Sequence, residues 1–292
     1  MPPAFHDSSM HVSRHGRGTG ADLAALASQV HPVFMLPPLA ASAFGAVLAG
    51  SFSLGVAVVH LAAMFFAVYT AHVKDGFVDF HVRGEDDDHP LTESGCRVAL
   101  AGASLGFFAC TAGLWRLVGP GAAALALPAW LIGFHHAPQL DTNPVTTTTG
   151  YPAGIAVSLL GGYYAQVGAL GVRSLAFAAV LLVLLTGVKV VDDSKDYDYD
   201  RSIDKRTVAV VLGRPAARRF AYGLMAAAMA GVVAFAALAV FPPSTVLAVA
   251  AFGVVAAFAA RSEPTVATML LVRGCYVFLA VLVAAVWFRP LA

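Results

Sequence analysis

The chain has 292 residues, and 59% of them are hydrophobic against only 12% charged, about half the charge of an ordinary soluble domain. Together with a mean hydropathy of +0.75, that balance excludes a water-soluble globular domain. A net charge of +1 built from few, segregated charges offers no basic field for a nucleic-acid partner. Cys96, Cys110 and Cys275 stand alone without CxxC spacing, so neither a disulfide framework nor a zinc site is expected.

Residues 1–21 are polar, with Arg14, Arg17 and several histidines, and hold no short apolar run before a cleavage site. They read as a disordered cytoplasmic tail and not as a removed signal peptide. Residues 22–292 read as a single membrane domain. Within it, continuous apolar stretches recur at roughly the 20-residue length a helix needs to cross the hydrocarbon. They lie at 24–49, 54–73, 97–117, 121–137, 152–170, 173–191, 217–240, 244–260 and 266–288. The runs do not alternate, so they predict an all-α bundle of about nine transmembrane helices and not a barrel. Pro37, Pro38 and Pro128 fall inside spans and predict kinks.

With the amino terminus inside, the basic residues flanking the second, sixth and eighth spans gather on one side, leaving Arg116, Arg173 and Arg289 on the other. That asymmetry fits the positive-inside rule and predicts a multi-pass protein of the cell membrane, its tail and both long loops cytoplasmic. Arg273 falls within the last span, where it either snorkels to the inner interface or points into a polar cavity.

The two long loops on that side, 72–96 and 189–216, are rich in charge. Asp75 and Asp79 are four apart at the end of an apolar helix, which puts both carboxylates on one face. Like charges so placed repel unless a cation lies between them. In the second loop Asp192, Asp196 and Asp200 form an i, i+4, i+8 stripe with Asp193 beside it. Lys195, Arg201, Lys205 and Arg206 are interleaved, and Lys74 and Arg83 flank the first pair. Carboxylate oxygens are the hard ligands Mg²⁺ prefers, and Mg²⁺ keeps waters and phosphate oxygens in its octahedron. Lys and Arg nearby clamp further phosphate oxygens. The pattern therefore suits a metal-bridged diphosphate. By contrast, Glu85–Asp88 reads as a solvated charge run and Thr146–Thr149 as loop. A calcium loop is excluded, because Arg201 replaces its glycine and Thr207 its closing glutamate.

At these residues the chain resembles the UbiA superfamily of intramembrane prenyltransferases. The family's first motif, NxxxDxxxD followed by a stretch like RPLxxG, matches at Asp75, Asp79 and His89-Pro90-Leu91 through Gly95. Its second motif, DxxDxxxD and then GxxT, matches at Asp193, Asp196, Asp200 and Asp204 through Thr207. Departures are Ala71 at the asparagine, with His72 adjacent, His89 for the arginine, and His31-Pro32 for an Arg-Pro pair.

The resemblance implies Mg²⁺-dependent transfer of a prenyl group from a prenyl diphosphate donor to a lipophilic acceptor in the bilayer. It assigns Asp75, Asp79, Asp192, Asp193, Asp196 and Asp200 to the metal, and Lys74, Arg83, Lys195, Arg201, Lys205 and Arg206 to the diphosphate. Tyr163 and Tyr164 either face the allylic carbon or simply pack. The rival expectations are a cation-coupled transporter and an inactive relative of the family. Acceptor, prenyl length and oligomeric state stay open.

Overall fold

Long runs of Ala, Leu, Val and Phe wind into helices because hydrocarbon offers no partner for a backbone N–H or C=O outside its own segment. A computed structural model of the chain describes residues 11–203 and 205–291. In chain order the helices are α1 Thr19–Ala27, α2 Pro32–Leu48, α3 Leu54–Gly76, α4 Glu93–Leu117, α5 Pro120–Phe134 and α6 Pro144–Val167. They continue with α7 Val172–Lys195, α8 Tyr197–Ser202, α9 Val208–Leu212, α10 Arg214–Ala237, α11 Val246–Ala259 and α12 Pro264–Phe288. Prolines open α2, α5, α6 and α12, the one helical position where a missing N–H costs nothing. Among the described residues no strand forms; the one isolated bridge pairs Ser13 with Leu91.

The all-α expectation holds. Helices α3, α4, α7, α10 and α12 are long and apolar enough to cross a membrane, and α1 with α2, bent by 65°, adds a sixth if counted as one broken span. Helices α5 and α11 are apolar but shorter, so length and composition support five or six of the nine expected spans.

Two local expectations are corrected. The Thr146–Thr149 run is the opening of α6 and not loop: the Thr147 and Thr149 hydroxyls donate to the Asn143 and Val145 carbonyls at 2.8 and 2.7 Å. Back-bonding of this kind satisfies a polar side chain inside the helix that carries it. Residues 11–21 are not a disordered tail. The Arg14 N–H donates to the Pro90 carbonyl at 2.9 Å and the Thr92 N–H to the Val12 carbonyl at 3.0 Å, while the Arg14 guanidinium lies 4.2 Å over the Phe80 ring. The segment is held by partners about eighty positions away, which local composition cannot reveal. Residues 1–10 of the expected tail lie outside the described residues.

The apolar interior has two main parts. One gathers α2, α6, α7, α10, α11 and α12 around Phe44, Phe177, Phe252 and Phe278; the other gathers α3, α4, α5 and part of α6 around Met64, Phe107 and Leu114. Helices α2 and α6 join them at an unusually close crossing. A Cβ at Gly45 would collide with the Leu159 carbonyl, and one at Gly162 with the Ser42 carbonyl. In hydrocarbon, where helices gain little by hiding apolar surface from lipid, small residues permit the backbone approach that holds them together. Replacing Gly45 or Gly162 by Ala is expected to cost about 1–3 kcal/mol through forced separation of the pair. Thermal unfolding of the detergent-solubilised variants tests this; unchanged melting temperatures would show that the crossing is not tight.

Candidate functional site

Helix α3 does not stop at its last regular turn. It widens into a π-helical turn, Phe77–Arg83, that ends at Gly84 with φ 66°. Such turns are rare and cluster at functional positions. Here the widening aims Asp79 and Arg83 into a network. Arg83 donates to Asp141 at 2.6 Å and pairs with Asp79 at 3.5 Å and Glu85 at 3.7 Å. Asp75 lies 3.8 Å from His136, and the Lys74 ammonium sits over the Phe77 and Phe134 rings at 5.8 and 5.4 Å. Asp75 and Asp79 share the wall of a cavity of about 460 Å³ with His31, His72, Asp86 and His89. Two of the departures noted above, His31 and His72, thus face the same space, in edge contact at 5.0 Å. Burial, then neighbouring His81, holds His89 below the ordinary imidazole range, which disfavours the charged form that the arginine at its position would supply.

The second break departs from the expected stripe. Helix α7 runs to Lys195, Asp196 leaves it at φ −95° and ψ 14°, and α8 begins afresh at Tyr197. Asp192, Asp196 and Asp200 therefore do not line one continuous helix. Adjacent positions on a helix differ by about 100°, which separates Asp192 from Asp193. Asp192 turns to Lys195 at 2.5 Å and Lys189 at 3.3 Å. Asp193, 5% exposed, accepts from Lys189 at 2.5 Å through Oδ1, while its Oδ2 is buried without a partner. Asp200 is 3% exposed and 3.9 Å from Lys205. Burial raises its carboxyl pKa; Lys205 opposes the rise, and Asp193 and Asp196 add to it. Asp193 and Asp196 thus both act on Asp200, while Asp192 and Asp193 share Lys189 and Asp192 also takes Lys195. Arg201 and Arg206 are exposed and make no ion pair among the described residues. Asp204, part of the second motif, lies outside the described residues.

One side chain brings the breaks together. Tyr199 on α8 stands close enough to Glu85, beyond α3, to feel its charge, with Asp79 and Asp86 also within its field. Desolvation, then the charge of Glu85, raises the Tyr199 pKa. Glu85 is accordingly not a solvated charge, as its sequence run suggested: its side chain is only 15% exposed. Asp86, Asp87 and Asp88 are exposed as expected.

Beside this acidic end lies an apolar cavity of about 440 Å³ between α2, α6, α7 and α12. Ile155, Leu184 and Phe278 form its walls, and Lys189, Asp192, Lys195 and Arg273 its polar end. Arg273 is exposed and borders this largely apolar cavity, not the polar cavity that was one of its expected placements. Phe34 borders both this space and the acidic one, so the two adjoin. Tyr163 and Tyr164 pack in the core clusters and line neither; Tyr151 lines the apolar cavity instead.

Among the described residues no three Asp, Glu, His or Cys side chains come close enough to hold a metal ion by themselves. The donor set nevertheless suits Mg²⁺, which typically takes one or two carboxylates and completes its shell with water and substrate phosphate oxygens. The partnerless Asp193 Oδ2 is a free hard ligand of that kind.

Sequence reasoning did not single out Asp141, Glu85, Tyr199, Lys189 or Tyr151. Asp141 shows why: a lone acid after an apolar run carries no pattern, and its role comes from Arg83, 58 positions earlier. Removing Arg83 by substitution with Ala strands a nearly buried carboxylate and is expected to cost about 3 kcal/mol. The Asp141→Asn change made on top of Arg83→Ala should restore part of that loss, since the two act as a unit. Additive losses in a double-mutant cycle of thermal unfolding would dissolve the pair.

No protein-family model matches the sequence, and no curated protein matches it. Solved structures do. A structure of digeranylgeranylglyceryl phosphate synthase superposes with a TM-score of 0.72 at 13% identity, covering 90% of this chain and 98% of that one. A UbiA homologue from Aeropyrum pernix K1 gives 0.66 at 19% identity, covering 90% and 100%. A UbiA homologue from Archaeoglobus fulgidus bound to GPP and Mg²⁺ gives 0.67 at 15% identity, covering 91% and 99%. At such low identity the agreement speaks to architecture, and it spans nearly the whole of each partner: the chain shares the fold of these UbiA homologues.

Proposed function

We propose that this protein transfers a prenyl group from a prenyl diphosphate to a lipophilic acceptor within the membrane, with Mg²⁺ as cofactor. The observation that carries the reading is an acidic cavity holding Asp75 and Asp79, with Tyr199 of the second break within the field of Glu85, next to an apolar cavity that meets the acidic one at Phe34. A diphosphate head and an isoprenoid tail need adjoining spaces of those two kinds. The similarity to a fold-mate bound to GPP and Mg²⁺ supports it.

Asp75 and Asp79 from one side, and Asp193, Asp196 and Asp200 from the other, would hold Mg²⁺ and, through it, the diphosphate. Bound Mg²⁺ would neutralise the diphosphate and so make it a better leaving group. Lys74, Lys195, Arg201, Lys205 and Arg206 supply positive charge to the phosphate oxygens as the C–O bond breaks and its electron pair departs with the diphosphate. Arg83, held by Asp141 and Glu85, orients Asp79 rather than moving to substrate. Asp192 keeps Lys189 and Lys195 at the cavity mouth. The apolar walls exclude water from the electron-poor allylic carbon until the acceptor's nucleophile bonds to it and gives up its proton.

In this reading residues 22–292 act as one domain of the cell membrane, with the acidic end on the cytoplasmic side. The test is incubation of purified protein and Mg²⁺ with labelled prenyl diphosphates and a lipid extract, with products identified by mass. Asp75→Ala and Asp196→Ala are each expected to lower turnover by about 100-fold or more, since even partners that only orient metal ligands cost 10–100-fold. Full activity in either variant, or in excess chelator, would refute the assignment.

A further inference from the structure

A third cavity, of about 490 Å³, opens at the same end of the bundle but away from the acidic site. The last turns of α7 supply Val191 and Ser194, the start of α10 supplies Arg214, Pro215, Arg218, Arg219 and Tyr222, and the turn into α12 supplies Ser262 and Pro264. Three arginines line it, and none of the lining residues is acidic.

The arginines do not cancel one another's cost by local pairing. Arg214 and Arg218 are one turn apart, a spacing at which like charges destabilise a helix. Arg214 is balanced by Asp198 at 2.8 Å and lies 4.8 Å over the Tyr197 ring. Arg218 donates to the Ala260 carbonyl and lies 5.9 Å over the Tyr222 ring. Arg219 makes no ion pair among the described residues. Each guanidinium carries five N–H donors, and these contacts use few of them. The Tyr222 hydroxyl, also at this cavity, is buried and has no hydrogen-bond partner. The cavity thus presents spare donors and surplus positive charge, with Asp198 the one acid paired to its arginines among the described residues.

We propose that this cavity binds the phosphate headgroup of an anionic phospholipid. The missing partner must offer several acceptor oxygens and negative charge, which a phosphodiester does. It must also sit at a membrane surface, and basic pockets between helix ends at that depth suit lipid headgroups. Apolar side chains near the arginines in sequence remain exposed for acyl chains, with Phe220 on α10 46% exposed and Val266 on α12 42% exposed. Through Arg214 and Asp198 the headgroup site touches α8, the helix that carries Tyr199 and Asp200.

Native mass spectrometry of the full chain, delipidated and reloaded with phosphatidylglycerol or phosphatidylcholine, tests this. One phosphatidylglycerol should be retained in preference to phosphatidylcholine. Arg218→Gln with Arg219→Gln should weaken retention about tenfold or more, because each surface cation contributes about 1 kcal/mol towards an anionic headgroup. Arg219→Gln alone and Tyr222→Phe, which disturb no contact the fold uses, should each weaken it by a smaller amount and keep the parent's lipid-free melting temperature. Equal retention of the two lipids would overturn the proposal, as would unchanged retention in all the variants. Displacement of phosphatidylglycerol by equimolar inorganic phosphate would overturn it too, assigning the cavity to a free anion.

Discussion

A charge left alone in hydrocarbon is so costly that it dictates where this chain can put its polar residues. Lys189, near the end of α7, illustrates the constraint: it is placed between Asp192 and Asp193 at 3.3 and 2.5 Å, so that no lone cation remains. Arg83 is treated the same way by Asp141, Asp79 and Glu85. The bundle therefore pairs these ionic groups near helix ends, Lys189 within its own helix and Arg83 also with Asp141 from a distant segment. The acidic site is a by-product of that pairing, because carboxylates collected to satisfy cations also stand near one another.

The two breaks solve the geometric problem of aiming acids inward by opposite means. Helix α3 is widened by a π-helical turn that carries Asp79 and Arg83 round without ending the helix. Helix α7 is ended at Asp196 and restarted as α8, so that Asp200 becomes buried while Asp198 reaches out to Arg214. Asp, which competes for backbone hydrogen bonds outside helices, favours such a stop. Tyr199 on the restarted piece then stands within the field of Glu85. One helix bends and the other is cut, and both present acid at the same end.

The apolar half of the molecule follows a simpler rule. Glycine and serine at the crossing of α2 and α6 bring backbones together, while Tyr151 and Ile155, further along the same face of α6, line the cavity of about 440 Å³ with residues of α7. Close approach in one place leaves space in another, and that space borders the acidic one at Phe34.

By itself the sequence determined the all-helical membrane architecture, the two acidic segments at one end and the motif spacing of Asp75, Asp79, Asp193, Asp196 and Asp200, because apolar length and helical period are properties of neighbouring residues. Only the tertiary structure decided that Asp192 leaves the stripe for Lys189 and Lys195, that Glu85 is shielded, that residues 11–21 are ordered against the loop before α4, and that Asp141 and Tyr199 matter at all. The fate of Asp192 turns on where α7 stops beside lysines three residues away, and the others on which group arrives to pair a charge or a backbone hydrogen-bonding group. A pairing across dozens of residues leaves no period in the chain to read.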